Sequence, residues 1–278
     1  MEKYNLILDN TNCDFDIMWY LFRIQKYRPA LLNNRIQKIA FYFMFPYSIW
    51  SISKNKDYFS SYENVIKDTN KLNDNGFDIY FEFENTNIKE NHFNDKYSNM
   101  VLDVVKDMPI KAVVYNKDLA EYIKKNYPNV KLVQSAFKNN INTEPPFEMN
   151  IIDYNQYKNN KSVIEDKKAY ILSVNSFCKN TYFCTDYLSS SKINYEMNKT
   201  NICINRLKTF QEMAKNELFV SLPVMNIICG EGIKNFLVRC NCDSVFERIE
   251  TYLYYTIKPE YINSVRLEML QMFDKKEL

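Results

Sequence analysis

Seven cysteines, together with acidic and amide residues at the ends of apolar runs, are the side chains of this 278-residue chain best suited to chemistry. Cys178 and Cys184 come just after the run Ala169 to Val174, whose length and β-branched content fit a buried strand ending at Asn175. Cys203 arrives 19 residues after Cys184. The fourth thiol is either Cys240, directly after the strand-like F-L-V-R, or Cys229, giving C-x5-C-x18-C-x36-C or C-x5-C-x18-C-x25-C. Four thiolates brought together from separate loops can bind zinc or an iron–sulfur cluster. No C-x2-C pair is present, which points away from a ribbon-type zinc site. Free cysteine is also among the most buried residue types, and spacing alone leaves inert core thiols the commoner outcome.

Scarcity excludes several other chemistries. Only three glycines are present (Gly76, Gly230, Gly232), so neither a G-x-G-x-x-G turn nor a Walker loop can be built. The one histidine, His92, sits in the polar stretch N-I-K-E-N-H-F-N-D. A site of two or three histidines is therefore impossible, and a Ser-His-Asp triad would have to use a residue that reads better as an exposed loop histidine. The 36 basic and 34 acidic residues are interspersed, which leaves no electrostatic footprint for nucleic acid or an anionic membrane. The longest apolar run, Ile39 to Trp50, holds 12 residues and is broken by Pro46, too short to span a bilayer. Met1-Glu2-Lys3-Tyr4 leads into an apolar run without a secretory signal, so a reducing cytoplasm is the expected compartment.

The elements that must position these residues alternate regularly. Strands are expected at Asn5 to Leu8, Gln37 to Phe45, Phe77 to Glu84, Ile110 to Tyr115, Val130 to Ser135, Met149 to Ile152 and Ala169 to Val174. Leu218 to Ser221 and Phe236 to Arg239 compete for an eighth position. Helical periodicity marks Phe15 to Tyr27, Ser60 to Asn73, Lys96 to Lys106, Leu119 to Asn126, Phe246 to Ile257 and Tyr261 to Phe273, with a short helix or turn at Val163 to Lys167. About eight strand–helix units in this length predict an α/β fold, a TIM-like (β/α)8 barrel formed as one domain over residues 1–278, with its regularity and full closure left open by the sequence. Such barrels do their chemistry where strands hand over to helices. Strand-end residues there are Asp9, Asn10, Glu82, Glu84, Asn116, Ser135, Asp153 and Asn175. Glu82, Glu84, Asp153 and Asn175 are the catalytic candidates among them, with helix capping as the plainer role for each.

Three stretches also resemble one family in the right order. Y-N-K-D-L-A-E-Y-I-K-K-N-Y-P-N-V-K-L-V-Q-S-A-F, Tyr115 to Phe137, is similar to the middle of the collagenase-like peptidases of family U32 and their short barrel relatives. I-L-S-V-N-S-F-C-K-N-T-Y-F-C resembles that family's L-x-V-N-x-x-C-x-x-x-C element. The run from Leu218 to Val238 resembles its ending, and with the following helix the likeness covers roughly residues 75 to 260. The chain departs from the family where a lysine and a Gly-Arg pair are expected after the last strand and Arg239-Cys240-Asn241 stands instead. It also has Tyr187 near the place of a histidine in the short relatives. The resemblance implies a barrel and, as in many members, a [4Fe–4S] cluster in preference to zinc. Cys178, Cys184 and Cys203 carry over as ligands by order and approximate spacing, with Cys240 fourth by its strand-end position and Cys229 as runner-up.

The leading expectation is a cytoplasmic U32-like barrel enzyme using the cluster in a redox or oxygen-independent hydroxylation step. A metal-free or metal-dependent peptidase or hydrolase is a second reading. A non-catalytic accessory barrel that binds a protein partner is a third, and the missing Gly-Arg pair favours it. The substrate is not legible.

Overall fold

Parallel strands cannot be joined by tight hairpins, and strands apolar on both faces need cover on both sides. The computed structural model describes residues 2–9, 15–44, 48–51, 62–135, 141–175, 207, 209–239 and 244–274. It meets both needs with a closed barrel of eight parallel strands in sequence order. The strands are β1 (Tyr4–Asp9), β2 (Ile36–Met44), β3 (Asp78–Phe83), β4 (Ile110–Val114), β5 (Lys131–Gln134), β6 (Met149–Ile152), β7 (Tyr170–Ser173) and β8 (Asn235–Val238). Closure comes from β8 pairing with β1, Asn5 to Val238 spanning the seam through partners such as Ile7 and Leu237.

Helices α1 (Phe15–Tyr27), α2 (Tyr62–Asp74), α3 (Lys96–Val105), α4 (Lys117–Asn126) and α5 (Tyr154–Asn160) follow β1, β2, β3, β4 and β6. Between β7 and β8 come α6 (Phe210–Ala214) and α7 (Leu222–Gly230), and after β8 come α8 (Val245–Thr256) and α9 (Ile262–Asp274). Their ends have local causes. The Asn116 side chain accepts from Leu119 N at 3.0 Å to start α4. Gly76, at φ 81°, lets the chain leave α2 and turn at once into β3.

The two-residue period of a strand divides the side chains. Ile7, Ala40, Tyr42, Tyr80, Val113, Val133, Ile151, Ile171 and Leu237 pack together inside the barrel. Their neighbours, such as Leu6, Leu8, Phe41, Phe81, Ala112 and Val114, belong to the larger core between barrel and helices. Burial of each large aliphatic side chain is worth about 1.5–3 kcal/mol. One step along the same alternation, toward the strand starts, stand Asn5, Lys38, Asp78, Lys111 and Asn235. One step toward the strand ends stand Asp9, Glu82, Ser135, Ser173 and Arg239, and a second step brings Glu84 and Asn175. The barrel interior is thus polar at both ends around an apolar waist.

Several expectations shift. Asn235–Val238 takes the eighth barrel place, whereas Leu218 to Ser221 is not a strand and ends in the N-cap of α7. Val220 N still donates to Val174 O at 2.6 Å, which ties this segment to the end of β7. The helix α5 was not expected, because its polar sequence Y-N-Q-Y-K-N-N carries little apolar periodicity. Where a short helix or turn was expected at Val163 to Lys167, the chain makes a turn at 161–163 and a 3-10 turn at Lys167–Ala169. Among the described residues no helix is long and apolar enough to cross a membrane.

Candidate active site at the strand ends

Side chains from β1, β2, β3, β5 and β8 converge at the C-terminal end of the barrel, and only the barrel interior lets strands so far apart in order meet. Glu84, just past β3, is 2% exposed. The Tyr42 hydroxyl of β2 donates to its Oε2 at 2.9 Å, and the Ser135 hydroxyl, just past β5, donates to its Oε1 at 2.5 Å. Arg239, just past β8, brings Nη2 to 3.9 Å from Glu84 Oε1 and Nη1 to 3.6 Å from Asp9 Oδ2. Its guanidinium carbon stands 4.9 Å from the Tyr42 ring centroid, so one cation serves two carboxylates and an aromatic face.

The backbone of this cluster is held from outside. Asn175 Oδ1 accepts from Arg239 N at 2.7 Å, and its Nδ2 donates to Arg239 O at 2.5 Å. That two-point clamp binds the exits of β7 and β8 to each other. Helix α8 adds Tyr252, whose hydroxyl donates to Asp9 O at 2.5 Å, and Tyr255, whose hydroxyl donates to Val174 O at 3.3 Å. On the far side Ser51 Oγ donates to Glu82 O at 2.5 Å.

Burial is the largest influence on Glu84 and raises its carboxyl above the ordinary value, against the opposing pull of Arg239, Ser135 and Tyr42. Burial also raises the Tyr42 phenol well above its usual value, and the negative charges of Glu84, Glu82 and Asp9 add to that. Burial thus favours the neutral form of both groups, with the Tyr42 hydroxyl as the donor and the Glu84 carboxyl as the acceptor between them.

The expected residues separate into groups. Glu84, Ser135 and Asp9 meet in the cluster, and Asn175 joins it through the Arg239 backbone. Glu82 is buried and close enough to Tyr42 to influence it. Asp153 is 1% exposed and caps α5 by accepting from Gln156 N at 2.8 Å. Its Oδ2 has no hydrogen-bond partner among the described residues, and burial raises its pKa. Asn116 is a helix cap. His92 is half-buried, its Nδ1 accepting from Lys89 N at 2.9 Å and its carbonyl from Trp50 Nε1 at 2.9 Å, a structural position. Tyr42 and Arg239 were not anticipated. The alternation that puts Ala40 inside the barrel would also have put Tyr42 there, and an arginine ending the apolar run F-L-V was the signal at β8.

Cys178, Cys184, Cys203 and Cys240 lie outside the described residues, as does Asn10. Cys229 is described, and it sits in α7 with Sγ 3.6 Å from Lys3 O and 3.7 Å from Lys234 Nζ. Lys3 and Lys234 lead into β1 and β8, so Cys229 belongs to the opposite end of the barrel from Glu84. The strands β7, β8 and β1 are neighbours, and the segments that follow them carry the other six cysteines: Cys13 after β1, Cys178, Cys184 and Cys203 after β7, and Cys240 and Cys242 after β8. Among the described residues no three His, Cys, Asp or Glu side chains are grouped to hold a metal ion.

No known family profile and no curated protein matches the chain. Among solved structures, that of a U32 peptidase is similar to it, with 11% sequence identity, a TM-score of 0.49, and coverage of 86% of this chain and 92% of that one.

Proposed function

We propose that this chain is a U32-like barrel enzyme that does acid–base work at the strand ends of its barrel, with Glu84 as the proton carrier. One observation carries the reading: a carboxyl buried inside the barrel, with its pKa raised, held between the Tyr42 and Ser135 hydroxyls and beside Arg239. A nearby cation and hydrogen-bond donors by themselves favour the charged form of a carboxylate. Here burial outweighs a cation 3.9 Å away and raises the carboxyl above its ordinary value. Arg239 offsets the charge left on Glu84 when its proton departs, and Asn175 is the positioning residue that holds the Arg239 backbone. Asp153, with one buried oxygen lacking a partner among the described residues, is the second carboxyl available to a substrate donor.

The reading includes a [4Fe–4S] cluster on Cys178, Cys184, Cys203 and Cys240 and a reaction of the redox or oxygen-independent hydroxylation class. Its support is the donor chemistry of the thiols and the adjacency of β7 and β8, clamped by Asn175 one residue before Cys240 and three before Cys178. The position of Cys229 at the other end of the barrel favours Cys240 as the fourth ligand. When bound, such a cluster supplies single electrons beside a proton-carrying site. Full-length protein purified anaerobically should contain about four iron and four sulfide per chain, and Cys178→Ala should lose them. A colourless, iron-free preparation removes the cluster from the proposal. The acid–base part has its own test in the infrared carbonyl band of Glu84, taken as wild type minus Glu84→Gln. It should titrate above the ordinary carboxyl value of 4.5, and titration at or below that value overturns it.

A further inference from the structure

The end of the barrel opposite Glu84 carries an imbalance that the fold does not require. The first inward positions of β2, β3, β4 and β5 are Lys38, Asp78, Lys111 and Lys131. Lys111 and Lys131 are direct register partners on adjacent strands, an arrangement in which like charges repel. Asp78 is the carboxylate that answers them. Its Oδ1 accepts from Lys38 Nζ at 2.6 Å and its Oδ2 from Lys111 Nζ at 3.1 Å, so both oxygens are engaged. Lys131 is exposed and makes no ion pair among the described residues. Three lysines and one carboxylate thus hold the first inward positions of these four strands, an excess of two positive charges.

Lys111 is the most enclosed of the three, with its side chain 15% exposed and its Nζ 4.7 Å from the Tyr80 ring centroid. Burial lowers its pKa, Asp78 pulls it back up, and Lys38 and Lys131 lower it again. The apolar waist behind it, including Tyr80 and Val113, closes the site toward Glu84.

We propose that this end of the barrel binds a phosphate group, held by Lys38, Lys111 and Lys131. Two excess positive charges match a phosphate dianion, whereas a carboxylate would leave one uncompensated. Three ammonium donors match the three terminal oxygens of a phosphomonoester, and lysine binds such groups as a point charge without the planar fork of arginine. The ligand would sit on the opposite side of the waist from the acid–base cluster, so this proposal is independent of the function proposed above.

The test is calorimetric titration of the full chain in chloride buffer with inorganic phosphate and, separately, phenyl phosphate. One saturable site per chain is expected. Lys131→Gln, at an exposed position where folding is safe, should weaken it about tenfold, as expected for loss of one charged contact worth about 1.4 kcal/mol. Asp78→Asn should tighten it, because the competing carboxylate charge is gone. Lys125→Gln, on the exposed face of α4, should leave it unchanged. Phenyl phosphate binding as well as inorganic phosphate identifies the phosphoryl group of a larger molecule; markedly weaker binding identifies the free ion, and either keeps the site. The proposal is overturned by an absence of saturable binding, by Lys131→Gln and Lys125→Gln behaving alike, or by weaker binding in a folded Asp78→Asn protein.

Discussion

Replacing Arg239 with methionine removes the cation at the centre of the candidate site while keeping much of its stem against Tyr42. The side chain is 4% exposed, and the carboxylates it faces, Asp9 and Glu84, are 1% and 2% exposed. At separations of 3.6 and 3.9 Å each pair is worth about 4 kcal/mol of gross attraction at an effective dielectric of about 20. Most of that attraction offsets the cost of burying the charges. What the variant exposes is the penalty of the partners left behind, about 3–5 kcal/mol for a broken buried pair. In a chain of this size that corresponds to a fall in Tm of about 10 °C. The loss must also depend on pH. Without Arg239, folded Glu84 holds its proton to a still higher pH than in the unfolded chain, so the folded state binds more protons across that window. Stability then falls as pH rises from the unfolded carboxyl value, about 4.3, through the folded one. Urea unfolding at pH 5.5 and pH 8 should show the larger loss at pH 8. Adding Glu84→Gln should recover part of it, because one of the stranded charges is gone. A loss under about 1 kcal/mol at pH 8, or one that grows on acidification, would refute the account of Arg239 as the counter-charge.

Tyr42→Phe removes the hydroxyl that donates to Glu84 at 2.9 Å, and since that bond favours the charged carboxylate, Glu84 should titrate higher still. A downward move in the infrared titration would contradict this. Asp153→Ala should cost about 0.5–2 kcal/mol through loss of the α5 cap, read from the urea midpoint. Asp153→Asn should keep the cap and abolish the decline in stability that a buried, raised carboxyl imposes as pH climbs above its unfolded value; an unchanged slope would show that Asp153 is not its source. Leu237→Ala, in the waist, should cost about 2–5 kcal/mol with an unchanged denaturant slope, and a smaller loss would mean that the waist collapses around the gap.

The barrel was legible because its signals are local. Runs such as Ile36–Met44 and Ile110–Val114 are short, apolar and rich in β-branched or aromatic residues, and each is followed by helical periodicity. Caps such as Asn116 and the turn at Gly76 are also written in adjacent residues. The helix α5 was missed because its polar sequence is held by a capping box at Asp153 and Gln156 more than by an apolar stripe. The candidate site was half legible. Glu84, Ser135 and Asn175 stood out as polar groups closing apolar strands. Tyr42 and Arg239 passed as an ordinary aromatic and an ordinary basic residue.

By itself the sequence determined the alternation of strands and helices, the excluded chemistries, and the set of strand-end residues from which a site could be drawn. Only the closed barrel decided which of them meet. Glu84 and Arg239 are 155 positions apart in the chain and come within 3.9 Å because β8 closes onto β1. Closure also sent Cys229 to the far end and made neighbours of β7, β8 and β1, whose following segments carry the remaining thiols. The physical reason is that a strand's alternation says which side chains share a face, whereas the register of all eight strands says which faces share an interior. Burial inside that interior, a property of no single segment, is what raises the Glu84 carboxyl.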